Sequence, residues 1–350
     1  MLSLCPFCAV VAAALMAATG CAQPGGLPSG GVTVERVVVA MGTSLQLQVT
    51  ASLRSEALRA SEAGVRAIED VQARLSTWTD DSELSRLNRA PVGRSINLSG
   101  ALLAELSKAR RWSRATGGAF DPGVGALVDL YGLREGGRWP TDQEVWSCLA
   151  HTGIEQLHVV YKTVSRRSAR FRIEEGGFGK GAGLDAAAQA VLQAGAMGAC
   201  FDFGGQVLCV GSLVPADGWL IADPRNRLQP ALQVRVDGGS LATTANSERR
   251  IRVGERNLGH ILDPRTGRPA PDFGSVTVWA EDAFTADCLS TAMFVMGPDQ
   301  ALVWAEQQEG VEAVILDERA STGSSPNLVA RATSGLRHRV TALLPDITFR

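Results

Sequence analysis

The stretch TADCLSTAMFVMG, residues 285–297, is apolar at most positions and reads as a helix that enters a core. Two residues interrupt that pattern. Asp287 and Thr291 stand four positions apart, which places an acid and a hydroxyl on one helix face, one turn apart. Together they offer hard oxygen ligands to a small divalent cation, but two ligands are too few for a cage made of protein alone. Magnesium held this way needs phosphate oxygens to complete its shell. The plainer reading is an acid near a helix start that senses the helix dipole, with a threonine bonded back to its own helix. The residues alone leave both readings open.

Outward from this helix, strands dominate from 199 to 278, and a second helix over 299–308 leads to a strand at VEAVIL. Nearer the start, VTVERVVVAMGTSLQLQVT (32–50) alternates apolar and polar residues on both sides of Met41-Gly42-Thr43, the period of paired half-buried strands. The period then changes. Residues 53–75 carry apolar positions at Leu58, Val65, Ile68, Val71 and Leu75, the pattern of a long amphipathic helix. A polar loop over 76–97, a helix over 100–116 closed by Gly117-Gly118, short strands at 155–161 and 169–173, and a helix over 180–194 complete the reading. Asp121-Pro122-Gly123 punctuates the chain before a further helical stretch. Helices and strands in uneven runs predict an α+β fold rather than strict βαβ alternation. No long low-complexity linker divides the chain after residue 31, so residues 32–320 read as one unit, with 321–350 as a C-terminal extension of a loop and one strand.

With 350 residues, 45% of them hydrophobic and 20% charged, and a net charge of −2, the chain has the profile of an ordinary globular protein. No basic footprint for nucleic acid is present. The N-terminus departs from that average. AVVAAALMAA (9–18) is an apolar run too short to span a bilayer, followed by ATGC and the Pro/Gly-rich AQPGGLPSGG. This is the layout of a signal peptide over 1–20 and a flexible tether over 21–31. Small residues before Cys21 are similar to a bacterial lipobox, in which the cysteine is acylated, although MLSLCPFC lacks Lys and Arg and Ala18 replaces the usual Leu. A plain secretory signal or a misassigned start codon is the alternative. Cys148, Cys200, Cys209 and Cys288 have mostly apolar neighbours and no C-x-x-C spacing, as core thiols do. A Cys200–Cys209 disulfide is conceivable in an exported chain, but the sequence does not supply its geometry.

EEGGFGKGAG (174–183) resembles a phosphate cradle, with Lys180 as a point charge, but Gly181 follows the lysine where a Walker loop requires Ser or Thr and Glu174 replaces its first glycine. A Gly-rich turn with an exposed lysine is the bland equivalent. His260 adjoins the tight turn of GHILDPRTGRP (259–269), and no G-x-S-x-G elbow points to a serine hydrolase.

In order along the chain, MGTSLQL (41–47), LSTWTDDSELSRLN (75–88), GAFDPGVGALVDLYG (118–132), GGFGKGAGLD (176–185), DFGG (202–205), HILDPRTGRP (260–269) and SVTVWAEDAFTADCLSTAMFVMG (275–297) resemble blocks of the ApbE family, the FAD:protein FMN transferases. The resemblance implies a T-fold-like arrangement of mixed sheets packed with helices. It implies FAD contacts from Met41, Trp78 (usually Tyr), Ala119, Phe120 and Asp121. Glu174 (usually Asp), Lys180 and Ile261 complete the implied FAD set. Asp287, Thr291 and the carbonyl of Gly177 would hold Mg2+, and His260 would assist proton removal. The implied reaction moves the FMN half of FAD onto a threonine hydroxyl of an acceptor protein and releases AMP. The acceptor would be a membrane-bound redox subunit on the periplasmic side of the inner membrane, where this chain would be lipid-anchored at Cys21. Two alternatives stand beside it: hydrolysis of FAD to FMN and AMP, and FAD binding without catalysis. Thr243-Thr244-Ala245-Asn246-Ser247 stands in place of the family's T-S-G-[DN]-Y, so strain at Ala245 and loss of an aromatic wall are expected.

Overall fold

The computed structural model describes residues 31–248, 251–319 and 327–350. The expected signal segment, most of the tether and Cys21 lie outside the described residues. A nine-stranded sheet organises everything else. Its strands are β1 (Val32–Ala40), β2 (Thr43–Ala51), β3 (Gly198–Phe203), β4 (Gln206–Gly211), β5 (Gly239–Ala245), β6 (Gly274–Ala280), β7 (Val311–Asp317), β8 (Leu328–Ala332) and β9 (Ile347–Phe349). Each strand pairs with the one before it in the chain. All neighbours are antiparallel except β8 and β9.

Eight helices accompany the sheet among the described residues: α1 (Arg54–Leu75), α2 (Glu83–Arg89), α3 (Gly100–Ala115), α4 (Gly125–Tyr131), α5 (Asp142–Leu149), α6 (Gly179–Gln193), α7 (Ala283–Met296) and α8 (Pro298–Ala305). The alternation around Met41-Gly42 does form a hairpin. Both turn residues have positive φ, 44° and 73°, as a two-residue turn between twisted strands demands. In α1 the buried residues recur at helical spacing, and Gly64 admits α6, because a Cβ there would meet Val191 at 2.8 Å.

Strand alternation assigns the sheet's two faces to two cores. On β7, Ala313 and Ile315 join the core that holds α7, while Val314 and Leu316 join a second core. That second core is closed by a small sheet of Trp219–Asp223, Asn226–Val234 and Val340–Ala342. It also contains the Cys200–Cys209 disulfide, which joins directly opposed residues of β3 and β4 at a Cα–Cα distance of 4.3 Å.

Three local expectations are corrected. The polar loop 76–97 contains α2, capped by the Ser82 hydroxyl, which accepts from Ser85 N at 2.9 Å. Residues 169–173 form no strand; the second short strand is Thr163–Arg166, paired with Leu157–Val160. Side chains satisfy the 169–173 backbone instead: Asn88 brackets Ile173 with bonds of 2.8 and 2.9 Å, and the buried Arg166 donates to Phe171 O at 2.7 Å. Beyond 321, three strands form rather than one; two extend the main sheet and Val340–Ala342 joins the small one.

Candidate active site

The N-termini of α6 and α7 meet at the expected cation site. Gly181, in the first turn of α6, lies so close to α7 that a Cβ would stand 2.3 Å from Ala283 O. This approach lets Gly181 N–H donate to Asp287 Oδ2 at 3.0 Å. Asp287 is therefore buried against the positive end of a neighbouring helix, while its own helix is capped by Asp282, which accepts from Thr285 N at 2.9 Å. Asp185 of α6 also caps α7, accepting from Ala283 N at 2.7 Å and Phe284 N at 3.1 Å. Burial pushes the Asp185 pKa up to about 6, against the pull of the Ala283 N–H, and the neighbouring Asp282 charge adds to the rise.

Thr291 faces the glycine turn. A Cβ on Gly177 would lie 3.3 Å from Thr291 Oγ1 and 3.2 Å from Phe120 Cε2, so the bare backbone at 177 brings the turn, the hydroxyl and the aromatic ring together. The Thr291 hydroxyl does lean back toward Asp287 O, but at a long 3.4 Å. Among the described residues no group of three or more His, Cys, Asp or Glu side chains is placed to hold a metal ion by itself. A cation here would draw on one carboxylate, one hydroxyl and a backbone carbonyl. These are hard oxygen donors of the type magnesium takes, and the set fits it as far as protein atoms go.

Around this floor stand the other expected residues. Met41 N donates to Gln72 Oε1 at 2.6 Å, and its side chain lies over Gly183 of α6, whose Cβ would meet Met41 Cε at 3.4 Å. Ala119 and Phe120 are buried in the core against which Met41 and Ile261 pack. Asp202, held by Gly205 N–H at 3.0 Å, has its pKa raised by burial, with that N–H and the Lys180 charge opposing the rise.

The Asp121 carboxylate is tied into the surrounding protein. Its oxygens accept from Gly123 N (2.7 Å), Ile154 N (2.8 Å) and Ser113 Oγ (2.8 Å), and burial raises its pKa against those bonds. It fastens the loop that presents Ala119 and Phe120. His260, half-buried, follows Gly259, whose Cβ would meet the Asn246 amide at 3.0 Å. Two residues before Asn246, Thr244 Oγ1 bonds to Ser290 Oγ at 2.8 Å, and Ser290 Oγ donates to Asp287 O at 3.0 Å. Ala245 pairs with Ser275 inside β5 at negative φ, so the expected strain there is absent.

At the outer rim, Trp78 is 65% exposed with the Arg134 guanidinium 4.5 Å from its ring centroid. Arg134 also pairs with Glu174. Burial pushes Glu174 up to about 7, with Arg134 opposing the shift and Glu175 adding to it. Sequence reasoning missed Arg134, and it assigned no role to Asp185 although the residue closes the GGFGKGAGLD block.

The sequence model of the ApbE family matches residues 41–315. This chain belongs to the ApbE family. Among curated ApbE relatives, the FAD:protein FMN transferase of Haemophilus influenzae is 30% identical over 253 residues, covering 69% of this chain and 73% of that protein. The one from Vibrio cholerae is 31% identical over 251 residues, covering 70% and 75%. Two solved ApbE structures share the fold. The ApbE protein of Thermotoga maritima has a TM-score of 0.73 at 30% identity, covering 82% of this chain and 95% of that one. The flavin transferase ApbE of Vibrio cholerae has a TM-score of 0.73 at 26% identity, covering 87% and 98%. The α+β, ApbE-like fold expected from the sequence is thus the fold observed.

Proposed function

We propose that this chain transfers the FMN moiety of FAD to a threonine hydroxyl of an acceptor protein, with release of AMP. The carrying observation is the meeting of Gly177, Asp287 and Thr291 within a family whose curated relatives are FAD:protein FMN transferases. In the reaction the threonine oxygen forms a bond to the FMN phosphorus, the bond from that phosphorus to the AMP oxygen breaks, and the hydroxyl proton leaves. Asp287, Thr291 and the Gly177 carbonyl are the groups that would hold Mg2+, which when bound neutralises charge on the pyrophosphate. Gly177 keeps the turn close enough for a pyrophosphate to lie along it, and Lys180 contributes a fixed positive charge. His260 takes the proton from the acceptor hydroxyl. The Met41, Phe120, Trp78 and Ile261 side chains line the path of the dinucleotide's flat rings.

The chain acts outside the cytoplasm, lipid-anchored through Cys21 and facing a membrane-bound acceptor. The apolar run at 9–18 and the Cys200–Cys209 disulfide support that placement, since disulfides persist in oxidising compartments. The test is incubation of the purified protein with FAD and Mg2+, with and without a threonine-bearing acceptor peptide. Flavin fluorescence on the peptide band is the expected result. AMP release that needs no peptide would reassign the chain to FAD hydrolysis, and tight FAD retention without AMP would reassign it to binding.

A further inference from the structure

We propose that Arg134 is the positioning residue of the dinucleotide site: one guanidinium locks Trp78 and Glu174 into a single rim, and that rim sets the affinity for FAD. The inference rests on the function proposed above and names a residue outside every block that led to it. Arg134 lies in the loop after α4, beyond Gly132, whose left-handed φ of 58° ends that helix. From there it reaches two distant segments. Its Nη1 donates to Thr77 O at 3.1 Å, its Nη2 donates to Thr77 Oγ1 at 2.6 Å, and the same Nη2 pairs with Glu174 Oε2.

Its plane also covers the Trp78 ring at 4.5 Å. The second carboxylate of the pair Glu174-Glu175 completes the clasp: Glu175 accepts from Thr77 N at 3.2 Å and from Thr77 Oγ1 at 2.7 Å. The loop that carries Trp78 is thereby pinned to the start of the glycine turn from two sides. Among the described residues, the guanidinium is the contact that orients an indole left 65% exposed.

Planarity explains why arginine stands here. A guanidinium can stack on an aromatic face while its edge donates several directed hydrogen bonds, whereas an ammonium offers a point charge with no plane. An aromatic side chain fixed before the ligand arrives does not have to be ordered by it, and pre-organisation of this kind appears in affinity rather than in the chemical step.

The experiment compares the parent with Arg134→Ala and Arg134→Lys in two arms. In the first, KM for FAD and kcat are measured with acceptor peptide and Mg2+. Arg134→Ala raises KM about ten-fold while kcat changes no more than about two-fold, and Arg134→Lys recovers only part of the loss. The second arm needs no ligand: acrylamide quenching of Trp78 fluorescence, isolated by subtracting the Trp78→Phe counterpart of each protein, rises about two-fold in Arg134→Ala. An unchanged KM, an equal fall in kcat, or unchanged quenching of Trp78 overturns the inference. A parent protein that bound no FAD would overturn the functional reading itself, and that failure is recognisable because it belongs to the parent rather than to the variant.

Discussion

The floor of the site and its rim are built by opposite means. At the floor, α6 and α7 touch through glycine and backbone, and short groups hold the contact: Gly181 against Ala283 O, Asp185 on two α7 N–H groups, and the buried Asp287 on the α6 N-terminus. At the rim, long side chains from three segments reach one another, from the exposed Trp78 ring through Arg134 to the largely buried Glu174 and its neighbour Glu175. A backbone-built floor has no slack, because any added atom must move a helix. A side-chain rim has slack in every torsion and can be retuned by single substitutions. The floor suits a fixed chemical demand, and the rim suits an adjustable affinity.

The largest effect that could break this contrast is at Asp287. Asp287→Ala removes the one carboxylate of the cation set, and transferase activity measured by flavin transfer falls at least about a hundred-fold while FAD still binds. If activity survived, the floor would be mere packing. Next comes Gly181→Ala, which sets a methyl 2.3 Å from a backbone oxygen; about 3 kcal/mol or more of stability is lost, read by chemical denaturation. An innocuous methyl there would show that the two helices are free to slide. Asp185→Ala removes a helix cap and costs about 1–2 kcal/mol in the same assay, with a smaller fall in transfer.

The smallest effect belongs to the rim and is one of pH. Glu174 titrates at about 7 in the fold against an ordinary 4.5. Between these values the unfolded chain has released the proton and the folded chain still holds it, so this group's contribution to stability declines as pH rises through that window and is level above it. Thermal melts of Glu174→Gln across pH 4.5–8 show that slope flattened, by about 2–3 °C in Tm. A parallel pair of pH curves would place Glu174 in a more watery setting than described.

The same contrast governs what the sequence made legible. The β1–β2 hairpin and α1 announce themselves through the period of their apolar residues, whereas α6, α7 and β7 show as runs of mostly apolar or small residues, and the floor residues sit within ordered blocks of GGFGKGAGLD and TADCLSTAMFVMG. Where side chains rather than neighbouring strands satisfy the backbone, the period misleads. FRI at 171–173 alternates like a strand yet is held by Asn88 and Arg166. The seven residues of α2 hold too few apolar positions to show above a polar stretch, with Leu84 and Leu87 the only aliphatic ones. Arg134 left no local trace, because its partners lie 57 and 40 positions away and nothing in its own neighbourhood reports them.

The serial order of the large sheet bears on how such a chain matures. Every strand lies beside its predecessor, so a polypeptide delivered N-terminus first always finds its docking edge already made. Only β9, entering parallel to β8, must wait for the chain to loop back, which makes the last few residues the final stitch of assembly and the first to be missed in a shortened product.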